Sequence, residues 1–195
     1  MNCGQILILT MMASKSRIIK EKGKSFYKSF FRSSKRILKE ILPNVPDIGN
    51  SLFSFNYKFG VCYIAWYKAL EVSDVDVEEA KKEIWYLTES FLHLVPRPLM
   101  RIAAKPYLNG WRKKAPVFEK LGNDNKLHPF DYKIRYIEID CNTFELNFYE
   151  CGMKKLYEKF DVMSLMPGVC RIDYLMFNYM GVGCSHNESG KGNIK

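Results

Sequence analysis

The sequence lacks several of the patterns by which protein classes are recognised. No window approaches the roughly 18 uncharged apolar residues that a membrane-spanning helix needs. The 6 cysteines form no Cys-x-x-Cys pair, and none of the 3 histidines stands at zinc-ligand spacing from them. Phosphate-binding loops and the His-Glu-x-x-His and Gly-x-Ser-x-Gly motifs are also missing. We therefore expect neither a disulfide scaffold nor a metal site, and the cofactor, if there is one, is unknown.

What the sequence does have is ordinary globular composition. Its 195 residues are 47% hydrophobic and 26% charged, which is enough for a core that needs no disulfide or metal. The apolar start, Ile6 to Ala13, is short for a secretory signal and lacks a positively charged leader. We predict a cytoplasmic protein with free thiols, in which residues 1–14 are weakly ordered and residues 15–195 form one domain.

The net charge of +9 comes from a single segment. Residues 15–39 hold ten basic side chains and one acidic one, whereas the rest of the chain has 20 of each. Aromatic and aliphatic residues recur through this segment at helical spacing, in a stripe formed by Phe26, Phe30, Ile37 and Ile41. Such a stripe favours a helix that docks on its own domain with its charges in solvent. We therefore expect no nucleic-acid partner, and contact with an anionic membrane surface is the weaker alternative.

The order of the predicted elements indicates an α+β fold. Helical periodicity covers most of the chain as far as a short helix over residues 99–105, which we expect to end before Pro106. A loop is predicted over residues 115–129, because that stretch contains two prolines, a glycine and Asn-Asp-Asn. The period then changes to two, which predicts antiparallel strands over 132–140 and 143–150 with helices packed on their buried face.

The last third of the sequence contains the cluster that suggests chemistry. Cys151 follows a predicted strand and begins a predicted helix, whose positive end favours a thiolate. Cys170 and Asp173 are three positions apart, so one helical turn would place them on the same face. We predict that Cys151, Cys170 and Asp173 approach one pocket, although a buried cysteine is more often a small apolar residue of the core.

These residues belong to a longer pattern, which runs from Phe144 through Tyr149-Glu150-Cys151 to Leu165-Met166-Pro167 and Cys170-Arg171-Ile172-Asp173-Tyr174. The pattern resembles the L-2-amino-thiazoline-4-carboxylic acid hydrolase family, in which a strand reaches Glu-Cys and a helix is followed by Cys-x-x-Asp. The resemblance covers roughly residues 25–180.

It implies an α+β hydrolase that converts a small-molecule substrate, 2-amino-Δ2-thiazoline-4-carboxylate, to N-carbamoyl-L-cysteine. For that reaction Cys151 or Cys170 would be the nucleophile and Asp173 the base or its orienter. Arg171 would bind the substrate carboxylate.

Two further expectations follow from the same resemblance. Members of the family continue through a Gly-rich turn to a closing strand, and residues 190–195 look like the approach to that turn, so we expect this strand to be missing. The strand–Cys–helix–Cys arrangement also loosely resembles binding domains of the vinyl-reductase type. A non-catalytic small-molecule-binding module is therefore the alternative to an enzyme, and it predicts an apolar pocket without convergent polar groups.

Overall fold

A computed structural model describes residues 1–186 and 191–194 and confirms the α+β class. Seven helices and four strands are described, with short 3-10 turns at Leu42–Asn44 and Met163–Leu165. The helices are α1 Cys3–Ile41, α2 Ser54–Glu71, α3 Val77–Leu92, α4 Arg97–Asn123, α5 Gly152–Lys159, α6 Met166–Cys170 and α7 Ile172–Met180. The strands are β1 Lys133–Glu138, β2 Phe144–Glu150, β3 Cys184–His186 and β4 Lys191–Ile194.

Contacts divide the chain into two compact units that interleave along the sequence. The helical unit comprises residues 1–47, 55–94 and 156–172. The sheet unit comprises residues 48–54, 95–155 and 173–195.

The prediction that residues 1–14 are weakly ordered is wrong. Helix α1 begins at Cys3, and the side chain of Asn2 accepts a hydrogen bond from the Gln5 amide in a capping box. Ile6, Leu7 and Met11 are fully buried in the helical unit. One side of this short apolar run is therefore part of the core, whereas Ile8, Leu9 and Met12 are exposed.

Helix α1 is interrupted at Gly23, whose φ of 88° and ψ of 160° are not helical. The Tyr27 hydroxyl donates a 3.1 Å hydrogen bond to the carbonyl of Met11, 16 positions earlier. In a straight helix 16 residues span about 24 Å, so the two parts of α1 must bend back toward each other. The stripe of the second part is buried at Phe30 and Ile37, as expected of a helix that docks on its own domain.

Helix α2 is buried on almost every side, and it contacts α1 through Cys62 and α3 through Phe59 and Tyr63. Twelve of its residues are buried, among them Cys62 and Trp66, so it reads as continuously apolar rather than amphipathic. Helix α3 begins after Asp76, whose carboxylate accepts hydrogen bonds from the amides of Glu78 and Glu79. The sequence pairs Ser73 with Asp76 as a capping-box-like start, but in the structure Asp76 itself is the N-cap of α3.

The predicted β-hairpin forms the centre of the sheet unit. Strands β1 and β2 are antiparallel, with Ile134 opposite Phe148 and Tyr136 opposite Leu146. The complete sheet has the order β1-β2-β4-β3, and all neighbours are antiparallel. Residues 191–194 thus form strand β4 between β2 and β3, which corrects the expectation that this segment only approaches a turn.

The structure differs most from the sequence-based prediction in α4. A helix ending before Pro106 and a loop over 115–129 were expected, but one helix continues through Pro106 and Pro116 to Asn123. Both prolines are exposed, so water can bond the carbonyl groups that they leave without a helical partner. On the opposite side Ala115 and Phe118 are buried, and Glu119 accepts a 3.0 Å hydrogen bond from the Tyr136 amide of β1. Tertiary packing on β1 offsets the cost of the prolines.

Within the residues that the structure describes, no helix combines the length and the apolar character needed to cross a bilayer.

Candidate functional site

The predicted site residues are divided between the two units. Cys151 and Asp173 belong to the sheet unit, whereas Cys170 and Arg171 belong to the helical unit. Helix α6 ends at Cys170 and α7 begins only at Ile172, so Cys170 and Asp173 do not share one continuous helix. Arg171, between them, keeps right-handed helical backbone angles (φ −75°, ψ −16°), so the approach of these two side chains stays a prediction.

Cys151 lies between β2 and α5, as the sequence predicted. Its Sγ accepts hydrogen bonds from the amides of Met153 and Lys154, which are free at the start of the helix. Burial nevertheless raises the pKa of the Cys151 thiol, and the charge of Asp173 raises it further. The helix start therefore does not generate a thiolate here, since desolvation outweighs the two amide donors.

Gly152 fixes the position of this cysteine. A Cβ atom at Gly152 would lie 2.6 Å from the Phe130 carbonyl oxygen and 2.9 Å from the ring of Tyr132. Backbone cannot yield as a flexible side chain does, so only glycine allows α5 to begin this close to the segment before β1. Cys151 is held against that segment as a result.

The carboxylate of Asp173 acts electrostatically on three titratable side chains of the sheet unit. Its charge contributes to raising the pKa values of Tyr107, Cys151 and Cys184, so all three side chains lie within electrostatic range of its carboxylate. All four residues are half-buried, which leaves them accessible to a small molecule. We call Tyr107, Cys151, Asp173 and Cys184 the Asp173 cluster.

Burial is the largest cause of each of these shifts. It raises the pKa of Cys184 to about 11, with the Asp173 carboxylate adding to the effect. Burial also raises the pKa of Tyr107, against a hydrogen bond with Trp111 that lowers it. At neutral pH the cluster therefore presents one carboxyl group among three protonated weak acids.

Two members of the cluster were not predicted from the sequence. The helix end expected before Pro106 leaves Tyr107 outside any predicted helix. In the structure α4 continues through both residues. Cys184 lies in a segment rich in Gly, Ser and Asn, and no motif spacing connects it to Cys151. Only the sheet, which places β3 at its edge, gives it a structural context.

In the helical unit, Arg171 and the exposed end of α6 line a cavity of about 430 Å³ against α3. Its cationic side chains are Arg171, Lys81 and Lys82, and Lys81 is paired with Glu78 at 2.6 Å. Trp85 and Tyr86 supply aromatic surface. The three cations of this lining suit a small anion. Binding of a substrate carboxylate by Arg171 stays a prediction.

The sheet unit has a cavity of its own, of about 740 Å³. It lies between α4, the turn after β1 and the end of α7, and Arg101 and Lys105 are its exposed cations. Arg101 packs over Gly181, whose φ of +72° and close contact with the guanidinium both require glycine. Arg112 also lines this cavity, but its guanidinium donates to the carbonyls of Asp140 and Cys141 and so supports the β-turn.

Among the side chains that the structure describes, no group of three or more His, Cys, Asp or Glu residues is arranged to hold a metal ion.

Comparison of the chain with protein families, with characterised proteins and with solved structures found no match. The resemblance to thiazoline-carboxylate hydrolases therefore stays a prediction from the motif residues.

Proposed function

We propose that this protein hydrolyses a small cyclic amidine, with L-2-amino-thiazoline-4-carboxylate as the first candidate substrate. The observation that carries the proposal is the Asp173 cluster, in which one carboxyl group faces three protonated weak acids. Addition of water to a C=N carbon needs a base for the water and an acid for the leaving group. Two kinds of group with those roles occur together here.

In the proposed reaction Asp173 accepts a proton as water adds to the ring carbon between sulfur and nitrogen. The ring nitrogen takes that proton from Asp173 to give the neutral tetrahedral intermediate. The intermediate then collapses as the C–S bond breaks, the leaving thiolate takes a proton from Tyr107 or from a cluster thiol, and the proton lost by the hydroxyl as the carbonyl forms restores that acid. This sequence consumes one water and gives N-carbamoyl-L-cysteine. It replaces the predicted cysteine nucleophile by activated water, because the raised pKa of Cys151 disfavours direct attack by its sulfur.

The substrate carboxylate needs a cation. Arg101 and Lys105 are exposed cations of the sheet-unit cavity, on the same helix as Tyr107. Arg101→Gln should raise KM without lowering kcat if Arg101 is the anchor. Arg171, which the motif implies for this role, belongs to the helical unit and lines the cavity there.

The test is direct incubation of purified protein with the thiazoline carboxylate and a panel of other cyclic amidines, with the product detected by its mass gain of one water. Asp173→Asn is expected to lower turnover by about a hundredfold or more, the usual effect of losing a positioned base. Asp161→Asn is the matched control, because Asp161 is exposed and Asn tolerates its positive φ. Turnover by Asp173→Asn equal to that of the control would remove Asp173 from the mechanism.

A non-catalytic binding module is the second candidate, and one observation favours it. Both cluster thiols are held protonated, so neither has the activation that is typical of catalytic cysteines. This alternative predicts calorimetric binding of the thiazoline carboxylate without any product, and unchanged binding of that compound by Asp173→Asn.

A further inference from the structure

Two cysteines outside the Asp173 cluster meet in the helical unit. Cys3 is the first residue of α1 and Cys62 lies in the middle of α2, 59 positions later. The Cys62 Sγ donates to the Cys3 carbonyl oxygen at 3.3 Å and also hydrogen-bonds the Cys3 thiol. The fold thus brings the sulfur of Cys62 against the backbone of Cys3, although the two residues are distant in sequence.

The two thiols have opposite environments. The hydrogen bond from Cys62 lowers the pKa of Cys3, aided by the charge of Lys58 and by a backbone amide at the helix start, although burial acts against it. Cys62 is fully buried, and burial raises its pKa well above the usual thiol value. Cys3 is therefore the more reactive sulfur, and it is half-exposed, whereas Cys62 is shielded beside it.

We propose that Cys3 and Cys62 form a redox-sensitive pair that peroxides oxidise to an intramolecular disulfide between the start of α1 and the middle of α2. A reactive, accessible thiol beside a shielded second cysteine is the arrangement typical of thiol oxidation sensors. The pair lies entirely in the helical unit, so this modification site is independent of the proposed hydrolase.

The chemistry balances with hydrogen peroxide as the oxidant. The Cys3 thiolate attacks one peroxide oxygen, the S–O bond forms as the O–O bond breaks, and the departing hydroxide becomes water by taking a proton. Cys62 then loses its proton to the hydroxyl of the Cys3 sulfenic acid and attacks the Cys3 sulfur, which releases a second water. Two thiols and one peroxide give one disulfide and two waters.

The rearrangement needed for closure can fall on Cys3, because Cys3 is in the first turn of α1, where the backbone has the fewest helical hydrogen bonds. The disulfide would close a loop of about 60 residues that contains all of α1. A cross-link of this length restricts the unfolded chain strongly, so oxidation should raise the thermal midpoint by roughly 5–15 °C.

The experiment uses the full-length, fully reduced protein exposed to dilute hydrogen peroxide. Free thiols are then alkylated, and the unreduced protein is digested with trypsin. The expected product joins the peptides of residues 1–15 and 59–68, each of which contains one cysteine. Before alkylation, the intact oxidised protein should be lighter than the reduced protein by two hydrogen atoms, and its melting temperature should be higher.

Variants separate the two steps. In Cys62→Ala the reaction should stop at the Cys3 sulfenic acid, which a 1,3-dione probe captures, whereas Cys3→Ser should form no such cross-link. Cys141→Ser and Cys170→Ser are matched controls, because both cysteines are exposed and lie far from the pair in sequence. Recovery of Cys3 and Cys62 as alkylated thiols after peroxide treatment of the folded wild-type protein would overturn the proposal, as would a cross-link that forms only in urea.

Discussion

At the scale of single residues, the most consequential charge is that of Glu83. Its side chain is only 3% exposed, and the guanidinium of Arg17 pairs with both of its carboxylate oxygens. Arg17 also lies over the ring of Tyr86, 5.0 Å from its centroid. Part of the basic segment therefore neutralises a carboxylate on α3. Nothing in the sequence distinguishes Arg17 from the other basic residues of the segment.

We predict that Arg17→Ala lowers the free energy of unfolding by about 3–5 kcal/mol, because it leaves a buried carboxylate without its partner. Urea unfolding followed by circular dichroism measures this change. Arg36→Ala is the control, since its pair with Glu40 is 3.9 Å long and both side chains are well exposed, and the expected loss is below about 1 kcal/mol. Equal losses in the two variants would show that the Glu83 carboxylate is not desolvated.

The Asp173 cluster allows a second prediction that does not depend on activity. Asp173→Asn removes a negative charge that raises the pKa values of Cys151 and Cys184, so both values should fall. More thiolate is then present at a given pH, and alkylation by iodoacetamide at pH 8–9 should accelerate by up to about tenfold, equivalent to one pKa unit. Burial, the larger cause, is unchanged, so labelling should still be slower than that of a free thiol.

Peptide mass spectrometry resolves the two cysteines in this experiment. Asp161→Asn should leave both labelling rates unchanged, because no effect of Asp161 on either thiol is found in the described structure. If the labelling rates in Asp173→Asn equal those of the wild-type protein, the Asp173 carboxylate has no electrostatic effect on the two thiols, and the Asp173 cluster does not exist as described.

At the scale of elements, the break in α1 depends on one glycine. The backbone angles of Gly23 fall in a region that is essentially restricted to glycine, and an added Cβ would meet no other atom. Glycine is therefore required at position 23 by the backbone angles, and not by crowding from neighbouring atoms. The bend is what allows the Tyr27 hydroxyl to reach the Met11 carbonyl.

Gly23→Ala should lower stability by about 1–3 kcal/mol, the cost of a non-glycine residue in this region. Gly110→Ala is the matched control within α4, where a Cβ would again meet nothing but the backbone is helical. That change should raise stability by up to about 1 kcal/mol, through helix propensity. Thermal melts of the two variants should shift in opposite directions, and shifts of the same sign would contradict this account of the bend.

Patterning predicted elements where one local signal dominates. The alternation around Ile134 and Leu146 predicted the hairpin, which forms as expected. The sequence pattern did not predict α4. There the contacts of Phe118 and Glu119 with other elements stabilise the helix more than Pro106 and Pro116 destabilise it, and such contacts are not local in sequence.

The same limit applies to the site. Strand and helix periods located Cys151 at the start of α5, whereas the division of the chain into α6 and α7 around Arg171 has no signal in the sequence. Tyr107 and Cys184 reach Asp173 from α4 and β3, and no sequence spacing encodes such a meeting. A cluster assembled from distant elements is predictable only once the elements are packed.

At the scale of the whole molecule, the distribution of charge is more informative than its total. The excess of +9 lies in residues 15–39, yet Arg17 and Lys22 pair with Glu83 and Glu79 of α3. Other basic residues of the segment project into solvent, including Lys15, Lys20, Lys24 and Lys28. The segment therefore combines an internal role, through its paired side chains and its buried stripe, with an exposed basic surface.

We predict that changing these four lysines to Gln, which takes the net charge from +9 to +5, leaves the fold intact and weakens binding to polyanions. Each lysine is exposed, so the change in stability should be within about 0.5 kcal/mol per site, and relief of the Lys24–Lys28 repulsion at i,i+4 is slightly favourable. The variant should elute from a heparin column at clearly lower salt, since fewer counterions are released on binding. A second variant with the same net charge, in which Lys113, Lys114, Lys120 and Arg135 are changed to Gln, should elute close to the wild-type protein. Similar elution of the two variants would mean that total charge, and not the basic surface of α1, governs the interaction with anions.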